Sequence, residues 1–257
     1  MLAYTTPRTS PNNGADASFV TRWCGLGYVP HDITAELSGL LEPLAPQHHA
    51  GITDPRRLGE LLRSIDGYPG NRVVRLALQL APLLFVRPGE LRRARWQNVD
   101  LVNAEWRIPA GQMKMRVQHL VPLCRQALEL LQQLRRITGH TEYLFPAHRL
   151  PDRPIPGNVL NTALRSLGFR SDEMTPHGFR TTACTLLNEL GWRPDAIERQ
   201  LAHADTRQIR RIYNHAQYLP ERREMMQSWA DYLDGLRATN TQTVSPTDHS
   251  AGPRRLA

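Results

Sequence analysis

Between residues 96 and 123 the sequence changes its period. The stretch "WQNVDLVNAEWRIPAGQMKMRVQHLVPL" alternates apolar with polar residues, contains Val, Ile and Trp, and breaks at Asn103 and at Pro109-Ala-Gly. Alternation sends successive side chains to opposite faces, so this stretch predicts a small antiparallel sheet of two or three strands. On both sides of it, apolar residues recur at helical spacing. The expected architecture is therefore mainly α, with one small antiparallel β-sheet inserted after the third helix.

The helices carry their own start signals. Asp54 followed by Pro55 predicts an N-cap and a first helical residue, and Leu58, Leu61, Leu62 and Ile65 then share one face. A more apolar, buried helix is expected over about 71–85, and "RPGELRRARW" opens a third with a proline. Beyond the sheet, "RQALELLQQLRRITG" ends on Gly139, "YLFPAHRLPDRPIP" reads as a loop, and further helices are expected over 157–167, 176–190, 194–202, 206–214 and 220–236. Residues 1–51 are rich in Pro, Asn, Gly and Ala, with one short helix expected at 33–44. Residues 237–257 read as a disordered polar tail. That leaves 52–236 as the folded domain.

Composition narrows the partners. The chain has 257 residues and a formal net charge of +8, from 32 basic and 24 acidic side chains, which favours a polyanionic partner. The richest apolar run, residues 76–86, is too short to span a bilayer, and the N-terminus has no apolar signal region. Three widely spaced cysteines suit reduced thiols in a cytosol, so a cytoplasmic protein is expected. Of the 32 basic residues one is a lysine, Lys114, and the other 31 are arginines. A bias toward arginine at every replaceable cation accounts for the 31 and leaves the single lysine to be explained.

Three short stretches then stand out. In "TPHGFRTTACTLLNELG", Thr175 suits an N-cap and Pro176 the first turn, placing His177 and Arg180 on one face at i and i+3. A helix start already carries partial positive charge and unpaired N–H donors, so two cationic side chains there suit an anion such as phosphate. Taken alone, the pair reads equally well as solvated surface charge. In "FVRPGELRRARW", Arg87 precedes a helix start and Glu90, three residues on, is placed to hold it; alone this is an ordinary ion pair. In "LAHADTRQIRRIYNHAQYLPERR", His203 follows Leu201-Ala202, and Tyr213 lies ten residues later among arginines. No carboxylate cluster, His-Glu-x-x-His or paired cysteine suggests a metal site, and no cofactor is expected.

Jointly these residues resemble the tyrosine recombinases, the phage-type integrases of prophages and genomic islands. The resemblance rests on "RPGELRRARW", the lysine of "GQMKMRVQHLVPL", "HGFR", "LAH" and "RIYNHAQYLPERR", and on spacings of 23 from Arg180 to His203 and 10 from His203 to Tyr213. It covers about residues 52–236 and implies a tyrosine recombinase catalytic-domain fold. It also implies that Tyr213 attacks a scissile phosphate of double-stranded DNA, giving a 3′-phosphotyrosyl bond and a free 5′-hydroxyl. Arg87, Arg180, His177 and His203 would hold the non-bridging oxygens.

Lys114 suits the proton donor to the departing 5′-oxygen. An ammonium desolvated among guanidinium groups releases its proton, whereas arginine keeps its own. Both arginines are expected to be replaceable with little loss of folding. Partners implied by the resemblance are DNA attachment sites, a tetramer assembled on them, and accessory DNA-bending or directionality proteins. Family members carry DNA-binding domains ahead of the catalytic one, and residues 1–51 are short for that, so the expectation is a truncated integrase. The alternative is a non-catalytic DNA-binding remnant of one.

Overall fold

The computed structural model describes residues 50–113, 117–202 and 218–239. The first helix, α1 (Pro55–Asp66), starts where Asp54 accepts a hydrogen bond from the Arg57 N–H at 2.8 Å, with Pro55 in the first turn. It buries Leu58, Leu61, Leu62 and Ile65, the face its spacing predicts. Helix α2 (Arg72–Leu84) is capped by Asn71 and is the hub of the domain: it packs against α1, and later helices close around its other sides. Its apolar residues point inward on nearly every side, which is why its sequence shows little polar face. Helix α3 (Pro88–Arg92) is a five-residue turn, shorter than the "RPGELRRARW" stretch from which it was expected.

The alternating stretch forms the expected sheet, with strand order β1 (Val99–Asp100), β2 (Glu105–Ile108) and β3 (His119–Pro122), all antiparallel. Trp106 pairs with Val121, and both are buried against the helices. Helix α4 (Arg125–Thr138) follows, with Gly139 at its C-cap.

The segment read as a loop after it contains a two-stranded hairpin, β4 (Pro146–Ala147) and β5 (Leu150–Pro154). The hairpin is mostly exposed, so no buried face imposes the alternation that marks a strand. Its prolines sit on edge strands, where they are tolerated.

Helices α5 (Val159–Ser166), α6 (Gly178–Glu189), α7 (Pro194–Gln200) and α8 (Leu219–Ala238) complete the described chain. The last packs along α1 and sends Trp229 into the core, where its indole N–H donates to Pro82 O at 2.9 Å. Among the described residues no helix is long and apolar enough to cross a membrane. The helices expected at 33–44 and 206–214 and most of the tail expected over 237–257 lie outside the described residues; Arg237 and Ala238, assigned to that tail, instead form the last residues of α8.

Candidate active site

Two backbone reversals build the centre of the site. At the end of α2, Phe85 adopts a left-handed conformation (φ 36°), which costs a non-glycine residue about 1–2 kcal/mol. Its fully buried ring, edge-on to Trp229 at 6.4 Å, offsets that cost. The reversal leaves the Phe85 carbonyl to accept from Arg180 Nη1 at 2.9 Å. Just beyond α7, Ala202 is also left-handed (φ 49°). The carbonyls of Leu201 and Ala202 thus stand at a helix C-terminus, the negative end of its dipole. Arg180 Nη2 donates to Leu201 O at 2.6 Å, and Arg87 Nη2 donates to Ala202 O at 3.2 Å.

Arg87 is held from behind. It is the N-cap residue of α3, and the buried Glu90 carboxylate accepts both its backbone N–H and its Nη1, each at 2.9 Å. Glu90 therefore does what the i, i+3 spacing predicts, while 23% of the Arg87 side chain stays exposed.

Arg180 is only 4% exposed, and no carboxylate among the described residues pairs with it. Burial first, and the neighbouring Arg87 charge second, push its pKa down to about 10. Buried beside a like charge, this guanidinium would be stabilised by an anion placed against the pair.

His177 occupies a different place from the one expected. Helix α6 begins at Gly178, with His177 at the N-cap, and Thr175 instead closes the turn before it. Both the Thr175 hydroxyl oxygen (3.1 Å) and its carbonyl (2.9 Å) accept from Gly178 N–H. The chain crosses closely at this point: a Cβ on Gly178 would lie 2.1 Å from Ala50 O, so only glycine fits there. Thr182 then ties down the crossing strand by donating to Ile52 O at 2.9 Å. His177 is half-buried ahead of the helix, and its carbonyl accepts from Arg180 N–H at 3.0 Å.

Of the six residues singled out, the structure brings Arg87 and Arg180 together and sets His177 at the start of the helix bearing Arg180. Lys114, His203 and Tyr213 lie outside the described residues. Their flanks are described: Met113 is buried, Ala202 is held by Arg87, and Tyr218 opens α8 in a left-handed conformation (φ 45°) with Arg193 4.7 Å above its ring. Arg92 and Arg93 donate to backbone carbonyls, and Arg95 pairs with Glu142 at 2.8 Å.

Sequence reasoning missed a buried polar cluster beside the arginines. His119 is 4% exposed, and Gln200 and Arg222 are fully buried. His119 Nε2 lies 3.0 Å from Gln200 O, an acceptor only, so that nitrogen carries the proton. Burial, then the Arg222 charge, push the His119 pKa down to about 3, leaving it neutral. A signal for Arg222 existed: with Met225, Met226, Trp229 and Leu233 it falls on the inward face of α8.

Residues 53–219 match the family model described as the phage integrase family. The chain belongs to that family. The integrase of Enterobacteria phage P4 is 40% identical over 222 residues, covering 80% of this chain and 50% of that protein. The chain spans about half the length of the curated integrases it matches.

Among solved structures, the integrase from mycobacterium phage Brujita superposes with a TM-score of 0.54 at 15% identity, over 89% of this chain and 72% of that one. A lambda integrase tetramer bound to a Holliday junction does so with a TM-score of 0.53 at 19% identity, over 74% of this chain and 57% of that one. The integrase fold expected from the sequence, mainly helical with a small antiparallel sheet after the third helix, is the fold observed, with the β4–β5 hairpin in addition.

Proposed function

We propose that this chain is the catalytic part of a site-specific DNA integrase that cleaves and rejoins double-stranded DNA through a 3′-phosphotyrosyl intermediate. The observation that carries the reading is the pair of guanidinium groups on adjacent carbonyls, Arg180 on Leu201 and Arg87 on Ala202, directly before His203. Neutral carbonyls hold Arg180 in place without cancelling its charge, while the Glu90 carboxylate fixes the pose of Arg87 and offsets part of its charge. Such preorganised donors stabilise the charge that grows on a phosphate in its pentavalent transition state.

In this reading Arg87, Arg180, His177 and His203 contact the non-bridging oxygens. The Tyr213 oxygen attacks phosphorus and loses its proton to water, the bond to the 5′-oxygen breaks, and Lys114 protonates that oxygen as it leaves. The phosphotyrosyl ester keeps the bond energy, so a 5′-hydroxyl of another strand can reverse the step without ATP.

Recombination exchanges strands between two duplexes and needs four such sites. A tetramer on DNA is supported by the lambda integrase tetramer on a Holliday junction that shares this fold. Its substrates would be attachment sites in the nucleoid, with accessory DNA-bending or directionality proteins as further partners.

The test is incubation with a nicked suicide duplex carrying an attachment site, followed by denaturing electrophoresis. A denaturation-resistant protein–DNA adduct is expected. DNA binding with no adduct would identify a non-catalytic DNA-binding remnant instead.

A further inference from the structure

Gln200 and Arg222 lie 13 residues before and nine residues after Tyr213. Arg222 donates to Gln200 Oε1 through Nε at 3.1 Å and through Nη2 at 2.5 Å, and Nη2 also reaches Leu120 O on β3 at 2.5 Å. His119, one residue earlier on β3, holds the Gln200 carbonyl. The next residue of α8, Arg223, binds Glu105 Oε1 at 2.6 Å and Asn103 O at 3.2 Å. Hydrogen bonds from His119, Arg222 and Arg223 thereby tie together the end of α7, the sheet and the first turn of α8.

We propose that Gln200 and Arg222 are positioning residues: a buried clamp that fixes both ends of the chain carrying Tyr213, and so sets the attack distance of the nucleophile. The inference rests on the catalytic reading above. Burying a guanidinium against an amide is costly, and apolar side chains of similar volume would fill the same space with equal or greater stability. What apolar packing does not supply is direction. The two bonds to one oxygen and the third to Leu120 O specify where α8 begins relative to α7.

Ala202 and Tyr218, the described residues bordering 203–217, are both left-handed, so each anchor redirects the chain within a single residue. A displacement of about 1 Å at a reacting atom can cost a hundredfold in rate. The clamp therefore governs the chemical step and leaves DNA affinity alone.

The experiment measures single-turnover adduct formation on the nicked suicide duplex, alongside DNA affinity and thermal unfolding, for the whole chain. The double variant Gln200→Leu/Arg222→Met replaces both polar partners with apolar groups of like size and leaves Leu120 O without its donor, so the unfolding measurement selects the conditions in which it is folded. It is expected to form adduct at least tenfold more slowly at unchanged DNA affinity.

Gln200→Met alone, which leaves Arg222 its bond to Leu120 O, is expected to show the same slowing. Gln200→Glu, which keeps the acceptor, is expected to restore most of the rate. A folded double or single variant that forms adduct within twofold of the parent rate overturns the clamp while leaving the catalytic reading intact. If the parent chain itself forms no adduct, the catalytic reading falls and the clamp with it.

Discussion

Arg180 and Arg87, 93 positions apart in the chain, grip consecutive carbonyls: Leu201 O at 2.6 Å and Ala202 O at 3.2 Å. The arginines are thus both candidate phosphate ligands and struts for the chain that leads into His203. Their two duties differ in weight, because Arg180 is buried and Arg87 is partly exposed.

Arg180→Ala leaves Phe85 O and Leu201 O without their donors in the interior. A loss of at least about 2 kcal/mol in unfolding free energy is expected, as well as loss of adduct formation. This departs from the expectation that both arginines could be removed with little effect on folding. Arg87→Ala alone strips the buried Glu90 carboxylate of its charge partner, so the comparison uses Arg87→Ala/Glu90→Gln, which buries no unpaired charge and should cost less stability, while slowing cleavage by roughly 3 kcal/mol or more. Urea unfolding of the two variants decides it: equal stability losses would show that burial is not what separates them.

Tyr218 is not expected to be the nucleophile. Its ring lies under the Arg193 guanidinium and it forms the left-handed start of α8. Tyr218→Phe keeps the ring and should form adduct at the parent rate, whereas Tyr213→Phe should form none and still bind DNA. The reverse pattern on a denaturing gel would move the chemistry to Tyr218.

Lys114→Ala should be badly impaired on ordinary DNA and close to the parent on a substrate whose bridging 5′-oxygen is sulfur. A thiolate leaves without a proton, so it needs no acid. Equal impairment on the two substrates would make Lys114 a DNA-positioning residue.

His119 predicts a pH dependence of stability. Its folded pKa of about 3 lies below the ordinary value of 6.5, so between those pH values the unfolded chain binds a proton that the folded chain does not. Its contribution is intact above pH 6.5 and is lost progressively as pH falls toward 3, by up to about 1.4 kcal/mol per pH unit. His119→Gln can still donate to Gln200 O and does not titrate. Chemical denaturation at pH 7 and pH 4.5 should therefore show a smaller loss for the variant than for the parent. Identical losses would mean that His119 is protonated in the folded state.

What the sequence determined by itself was local. Asp54-Pro55 started α1, the alternation around Trp106 made the sheet, and the i, i+3 spacing paired Arg87 with Glu90, because each depends on residues within a turn or a strand of one another. Tertiary structure decided the rest. It moved the start of α6 to Gly178, where Ala50 crosses too closely for any side chain. It folded 146–154 into a hairpin that buries no alternating face. It also buried Arg222, one of two adjacent arginines of which the other stays near the surface, against Gln200 and Leu120. The close approach at Gly178 and the burial of Arg222 depend on backbone atoms far away in the chain, and a carbonyl that accepts an arginine leaves no mark in the amino-acid sequence.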